Sequence, residues 1–174
     1  MNIKKDIKNL LVEKPLKLDC GKTINNFPLA YETYGSLNQK KDNAILIFHA
    51  LTGDQFVTGI NPITNKDGWW SYAVGPGKAI DTDKFFIICA NVIGGCMGSF
   101  GPSDLDQETQ KIYGIIFPVI TINDMVNAQI NLIDYFGIEK LFSVIGGSMG
   151  GMQVLQFVSN FPNRAKTAIP IACT

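Results

Sequence analysis

The chain alternates short, continuous apolar runs with longer stretches of helical periodicity. Residues 44–48 (Ala-Ile-Leu-Ile-Phe) and 85–91 (Phe-Phe-Ile-Ile-Cys-Ala-Asn) offer almost no polar position to turn toward water. Such runs predict strands covered on both faces, as in a parallel sheet. Residues 141–145 read the same way, and 166–171 add one more apolar strand. Earlier, residues 16–20 and 28–34 predict two strands around a turn at 21–26, an antiparallel lead-in. Ile122, Met125, Val126, Ile130, Ile133 and Phe136 recur at helical spacing. Thr121 and Asp124 frame the start of that helix as a capping-box-like pair, and Gly137 sits where a helix-ending glycine belongs. A second amphipathic segment follows residue 148 and stops at Phe161-Pro162. A short helix is expected within 68–79, although Gly75-Pro-Gly77 breaks its pattern. Residues 54–67 read as irregular, and 93–118 as a long glycine-rich loop. Strands alternating with helices predict an α/β fold with a mostly parallel sheet.

Composition narrows the class. At 174 residues and 46% hydrophobic, the chain can bury a real core as one domain. Its 15 basic and 15 acidic residues cancel, which argues against nucleic acid or an anionic membrane as the main partner. No apolar run approaches the ~20 residues of a spanning helix. Residues 1–14 are charged and lack a signal peptide's apolar centre. Cys20, Cys89, Cys96 and Cys173 are scattered without CxxC pairing, so they read as reduced thiols in a cytoplasmic protein.

The chemistry concentrates at Gly146, Ser148 and Gly150. A Gly-x-Ser-x-Gly between an apolar strand and an amphipathic helix is the setting of a nucleophile elbow. A serine raised on so tight a turn needs neighbours without bulk, which Gly146, Gly150 and Gly151 supply. The following helix would aim N–H groups and its positive dipole end at an oxyanion forming beside Ser148. The bland alternative is a glycine-rich strand-to-helix turn with a bystander serine. A nucleophilic serine also needs a base, and the chain's one histidine, His49, closes the 44–48 strand upstream of it. In the α/β-hydrolase order the histidine comes last, so His49 reads as a structural hydrogen-bonding residue rather than the base. Cys96 has no histidine nearby in sequence and reads as inert. Trp69 and Trp70 read as core aromatics.

A set of motifs then appears in order: His49-Ala-Leu-Thr-Gly53; Gly68-Trp-Trp70; residues 75–83; Asn91-Val-Ile-Gly-Gly-Cys96 with Gly98-Ser-Phe-Gly-Pro102; Phe117-Pro118 with Thr121-Ile-Asn-Asp-Met-Val126; and Gly146-Gly-Ser-Met-Gly-Gly-Met152. Together they resemble the homoserine O-acetyltransferase family of α/β-hydrolase-fold acyltransferases, from about residue 16 to 174. Phe100 and residues 104–110 depart from the pattern. The resemblance implies an incomplete α/β-hydrolase fold. Family members run to roughly twice this length, so 1–174 would be the N-terminal part of a single domain. A helical lid, the later strands, the triad Asp and His, and a carboxylate-holding Arg would be absent.

The resemblance also implies roles. Ser148 would be acetylated by acetyl-CoA, a co-substrate rather than a resident cofactor, and would pass the group to the hydroxyl of L-homoserine in methionine biosynthesis. The backbone N–H groups of Leu51 and Met149 would form the oxyanion hole. Thr52 and Gly53 would shape the same mouth, with the 91–102 loop near its entrance. No metal is implied. A homodimer is expected, or a second polypeptide supplying the C-terminal half. The chain alone is expected to turn over poorly and to expose the 166–171 strand as an apolar edge. Succinyl for acetyl, or serine for homoserine, stays open within the family. Outside it stand an esterase-like hydrolase and a non-catalytic scaffold.

Overall fold

The structure is a computed structural model; it describes residues 7–106 and 109–173. Among these residues ten strands and two α-helices follow one another as β1 (Asn9–Val12), β2 (Leu16–Lys17), β3 (Thr23–Ile24), β4 (Phe27–Tyr34), β5 (Ala44–Phe48), β6 (Val74–Gly75), β7 (Ile80–Asp81), β8 (Phe86–Ala90), α1 (Ile122–Tyr135), β9 (Leu141–Gly147), α2 (Met149–Asn160) and β10 (Ala165–Ile171). The main sheet has the order β1-β4-β8-β5-β9-β10. Its β8, β5, β9 and β10 are mutually parallel neighbours, as their apolar runs predict, while β1 and β4 join antiparallel.

Strand alternation divides the core between two faces. Ala44, Leu46 and Phe48 of β5 meet Val126, Leu132 and Ile133 of α1 and Val154 and Phe157 of α2. Ile45 and Ile47 point the other way, into a smaller cluster with Val57, Val74, Ile87, Cys89 and Ile145. Both helices therefore cover one face, and the irregular 54–80 segment covers the other. Among the described residues β10 forms one edge of the sheet, with Ile169 and Ile171 exposed.

Helix α1 begins and ends as its sequence dictates. The Thr121 hydroxyl accepts from the Asp124 N–H at 3.2 Å, and the Asp124 carboxylate accepts from the Thr121 N–H at 2.9 Å. At the other end Gly137 adopts φ +65°, and the Ile138 and Gly137 N–H groups return to the carbonyls of Ile133 and Asp134. Those two bonds close a Schellman motif.

Two expectations change, and one strand was not expected at all. Residues 16–20 do not pair with 28–34: β2 folds back on β3 through Gly21, and β4 pairs with β1 and β8. The tight hairpin satisfies β2 locally and frees β4 for the sheet. The β1 strand itself carries only four residues after a charged stretch, too short for a periodic signal. No helix forms within 68–79. Gly75 and Gly77 take φ of +151° and +67°, Pro76 lacks an N–H, and the chain instead makes the small β6–β7 parallel pair.

Candidate active site

Strand β9 ends where α2 begins, and Ser148 is the junction. Its backbone sits at φ 55°, ψ −123°, and its side chain makes no capping bond to the helix, so Oγ stands exposed beyond the sheet's carboxyl edge. A non-glycine residue held there stores about 1–3 kcal/mol of strain. Two bonds hold it: the Ser148 N–H donates to the Ile171 carbonyl at 2.9 Å, and the Met152 N–H to the Ser148 carbonyl at 3.1 Å. The flanking glycines are steric necessities. A Cβ on Gly146 would stand 2.4 Å from the Gly150 oxygen, and one on Gly150 only 2.1 Å from the Phe48 oxygen. The elbow expected from the sequence is present.

The loop after β5 faces it. The Ala50 carbonyl accepts from the Gly53 N–H at 2.9 Å and from His49 Nδ1 at 2.7 Å. Because a trans peptide sets its N–H opposite its C=O, fixing the Ala50 oxygen also aims the Leu51 N–H. That N–H finds no acceptor among the described residues, and neither does the Met149 N–H in the first turn of α2. Leu51 and Met149 line one cavity of about 580 Å³, together with Val92, Ile93, Cys96 and Met125. The 91–102 loop thus reaches this cavity, as the family resemblance implied.

His49 is spoken for. It is 1% exposed, and with Nδ1 donating to Ala50, Nε2 accepts from the Val92 N–H at 3.2 Å, with the Asn91 amide at 3.4 Å. Burial pushes the imidazole below its ordinary range, against weaker opposing effects of the Ala50 bond and the Asp54 charge. A neutral, doubly bonded ring is a structural histidine, as the sequence suggested. Asp54 lies behind it. Burial pushes its carboxyl up, opposed by the Phe56 N–H, His49 and the Asn61 amide.

Cys96 is exposed at the cavity, whereas Cys89 is buried and its thiol pushed well up by burial. Trp69 and Trp70 stack at 5.2 Å; Trp70 packs on the smaller core cluster, but Trp69 remains 36% exposed and is only partly a core residue. Sequence reasoning missed Gln153 and Gln129, both fully buried amides on facing helices. Their signal was polar residues on the inward stripes of α1 and α2. No described helix is long and apolar enough to cross a membrane.

The family model for the alpha/beta hydrolase fold matches residues 43–172. The chain is 77% identical to the homoserine O-acetyltransferase of Pelagibacter ubique (strain HTCC1062), over 100% of its own length and 47% of that protein. Among solved structures it resembles a homoserine O-acetyltransferase from Bacillus anthracis, at TM-score 0.86 and 32% identity over 92% of this chain and 44% of that one. It also resembles an acetylester hydrolase from Corynebacterium glutamicum, at TM-score 0.77 and 34% identity over 98% and 45%. The chain spans about half the length of each. With an elbow serine at the carboxyl edge of a parallel sheet and a family model covering most of its residues, the chain belongs to the α/β-hydrolase-fold family.

Proposed function

We propose that this chain carries the nucleophile and oxyanion hole of a homoserine O-acetyltransferase. The observation that carries the reading is the 77% identity over the whole chain, elbow included, to a protein of that name. The geometry supports acyl-serine chemistry. Ser148 Oγ attacks the thioester carbonyl of acetyl-CoA, the carbonyl oxygen becomes an oxyanion facing the free N–H groups of Leu51 and Met149, and the C–S bond breaks to release the CoA thiolate. The hydroxyl of L-homoserine then attacks the acyl carbon through the same hole, the bond to Ser148 Oγ breaks, and Oγ recovers the proton that the homoserine hydroxyl gave up, leaving O-acetylhomoserine.

His49 cannot take the Ser148 proton, because both its ring nitrogens are engaged and it is buried. The base therefore comes from outside these 174 residues, in the same polypeptide or in a second one; assembly as a homodimer is part of the proposal.

An esterase reading is favoured by the likeness to the acetylester hydrolase and differs only in letting water attack the acyl-serine. One assay separates them. Protein of the relatives' length carrying this chain is given acetyl-CoA with and without L-homoserine, and thiol release and O-acetylhomoserine are followed. Release that depends on homoserine and is lost in Ser148→Ala supports the transferase. Release indifferent to homoserine supports the esterase. Succinyl-CoA and L-serine, run as competitors, settle donor and acceptor.

A further inference from the structure

We infer that Gln153, held by Gln129, is a positioning residue that fixes the distance between the two halves of the oxyanion hole. The inference rests on Ser148 being the nucleophile. Gln153 lies one turn into α2 and is 0% exposed, yet its side chain is polar. Its Nε2 donates in two directions, to the His49 carbonyl at 3.3 Å and to the Met149 carbonyl at 3.5 Å. The first acceptor belongs to the segment that presents the Leu51 N–H, and the second to the residue that presents its own N–H to the cavity. One amide thus ties both donor-bearing segments together.

An amide can do this only with its NH₂ end, and a side-chain amide has two orientations of similar shape. Gln129 chooses between them. From α1 its Nε2 donates to Gln153 Oε1 at 2.8 Å, which leaves Gln153 Nε2 facing His49 and Met149. Gln129 is itself 1% exposed, and its Oε1 has no partner among the described residues. An unmet buried carbonyl oxygen is a standing penalty for the fold. A pair kept only to pack α1 on α2 is served better by two apolar side chains, as elsewhere in this core, where Val126, Leu132, Val154 and Phe157 face one another. The buried amides do something apolar groups cannot, which is to grip the two carbonyls.

The close approach of α2 makes this grip sensitive. Gly150 already brings the helix backbone against the Phe48 carbonyl, so a small change in tilt moves the Met149 N–H relative to Leu51. Oxyanion stabilisation falls steeply with such displacement.

The test uses the acetyltransferase carrying this chain at the relatives' length. Gln153→Met keeps the volume and removes both donations; Gln129→Met removes only the orienting bond. Rapid-mixing thiol release from acetyl-CoA gives the burst rate constant for Ser148 acetylation and, from its amplitude, the number of working sites. The expected result is a rate constant per site lowered about tenfold to a hundredfold in Gln153→Met, and less in Gln129→Met, with the acetyl-CoA concentration that half-saturates the burst rate unchanged. If either variant instead loses burst amplitude and melting temperature while surviving sites react at the wild-type rate, the glutamines are merely structural and the inference is overturned. Wild-type rates per site in both variants, with Ser148→Ala dead, overturn it equally. Acetylation that persists in Ser148→Ala overturns the nucleophile reading itself, a result distinguishable from the other two.

Discussion

Replacing Gly150 with alanine sets helix propensity against close packing, and the structure decides which wins. Gly150 is helical, so alanine gains at most about 1 kcal/mol from backbone entropy. Its new methyl carbon would stand 2.1 Å from the Phe48 oxygen, 2.9 Å from the Phe48 carbon and 3.2 Å from the His49 carbon. All three are backbone atoms. Phe48 closes β5, which is paired on both sides and cannot retreat. Helix α2 must therefore back away by about 1 Å to restore ordinary contact. Overpacking of this kind costs about 1–3 kcal/mol, and the backbone nature of the obstacle places Gly150→Ala at the upper end. Set against the propensity gain, the net loss is about 1–2 kcal/mol, a fall in melting temperature of about 2–8 °C. Because the retreat carries the Met149 N–H with it, Ser148 acetylation should fall by about a hundredfold. Thermal unfolding followed by circular dichroism measures the first effect, and burst kinetics with acetyl-CoA the second. Ser159→Ala, on the exposed flank of the same helix, isolates propensity and should stay within about 0.5 kcal/mol of wild type. A Gly150→Ala protein that melts at or above wild type and acetylates at full rate would refute the reasoning.

Thr121→Ala removes the cap on the Asp124 N–H and the bond to Asp19, and should destabilise by about 1–2 kcal/mol in urea titration while leaving acetylation per folded site intact. His49 has a folded-state pKa below its unfolded value of 6.5, so the stability it confers is present above that pH and is lost as pH falls below it. Asp54, pushed above 3.8 by burial, has the opposite sign: the stability of its protonated form is lost as pH rises from 3.8 through its folded value. Melting temperatures taken from about pH 7 to about pH 5.5 should fall in the wild type and fall less in His49→Gln. Residues 1–174 assayed alone with acetyl-CoA and homoserine should turn over several powers of ten below an ordinary acyltransferase, for want of a base beside Ser148; ordinary turnover that vanishes in Ser148→Ala would force His49 back into consideration.

The parallel centre of the fold was legible because β5 and β8 are buried on both faces, and no half-exposed strand produces such uninterrupted apolar runs; β9, though it exposes Phe142 and carries Ser143, kept enough of the pattern to be read beside them. Ser148 was legible for a related reason: only crowding of Gly146 and Gly150 against the Phe48 carbonyl demands that spacing of glycines. The β2–β3 hairpin was not, since strands of two residues carry no period and their partner is settled by the Gly21 turn and by what β4 needs elsewhere. Gln129 and Gln153 were illegible for the opposite reason. Their importance lies in a contact across two helices between residues 24 apart in sequence, and a helical pattern records only that a position faces inward.

The order of dependence at the site gives β10 a role that its exposure hides. Among the described residues most of its positions face outward. Yet the Ile171 carbonyl at its end takes the Ser148 N–H, one of the two bonds that hold the strained φ and ψ of the elbow. Strain of this kind persists only while the surroundings over-determine it. The other bond comes from Met152 within α2, whose position depends on the Gln153 grip and on the packing of Gly150. A frayed β10 would therefore release Ser148 from one side while leaving the core of β5, β8 and β9 intact. Loss of the reactive geometry would then precede loss of the fold, with Ser148 acetylation failing at lower denaturant than far-ultraviolet ellipticity.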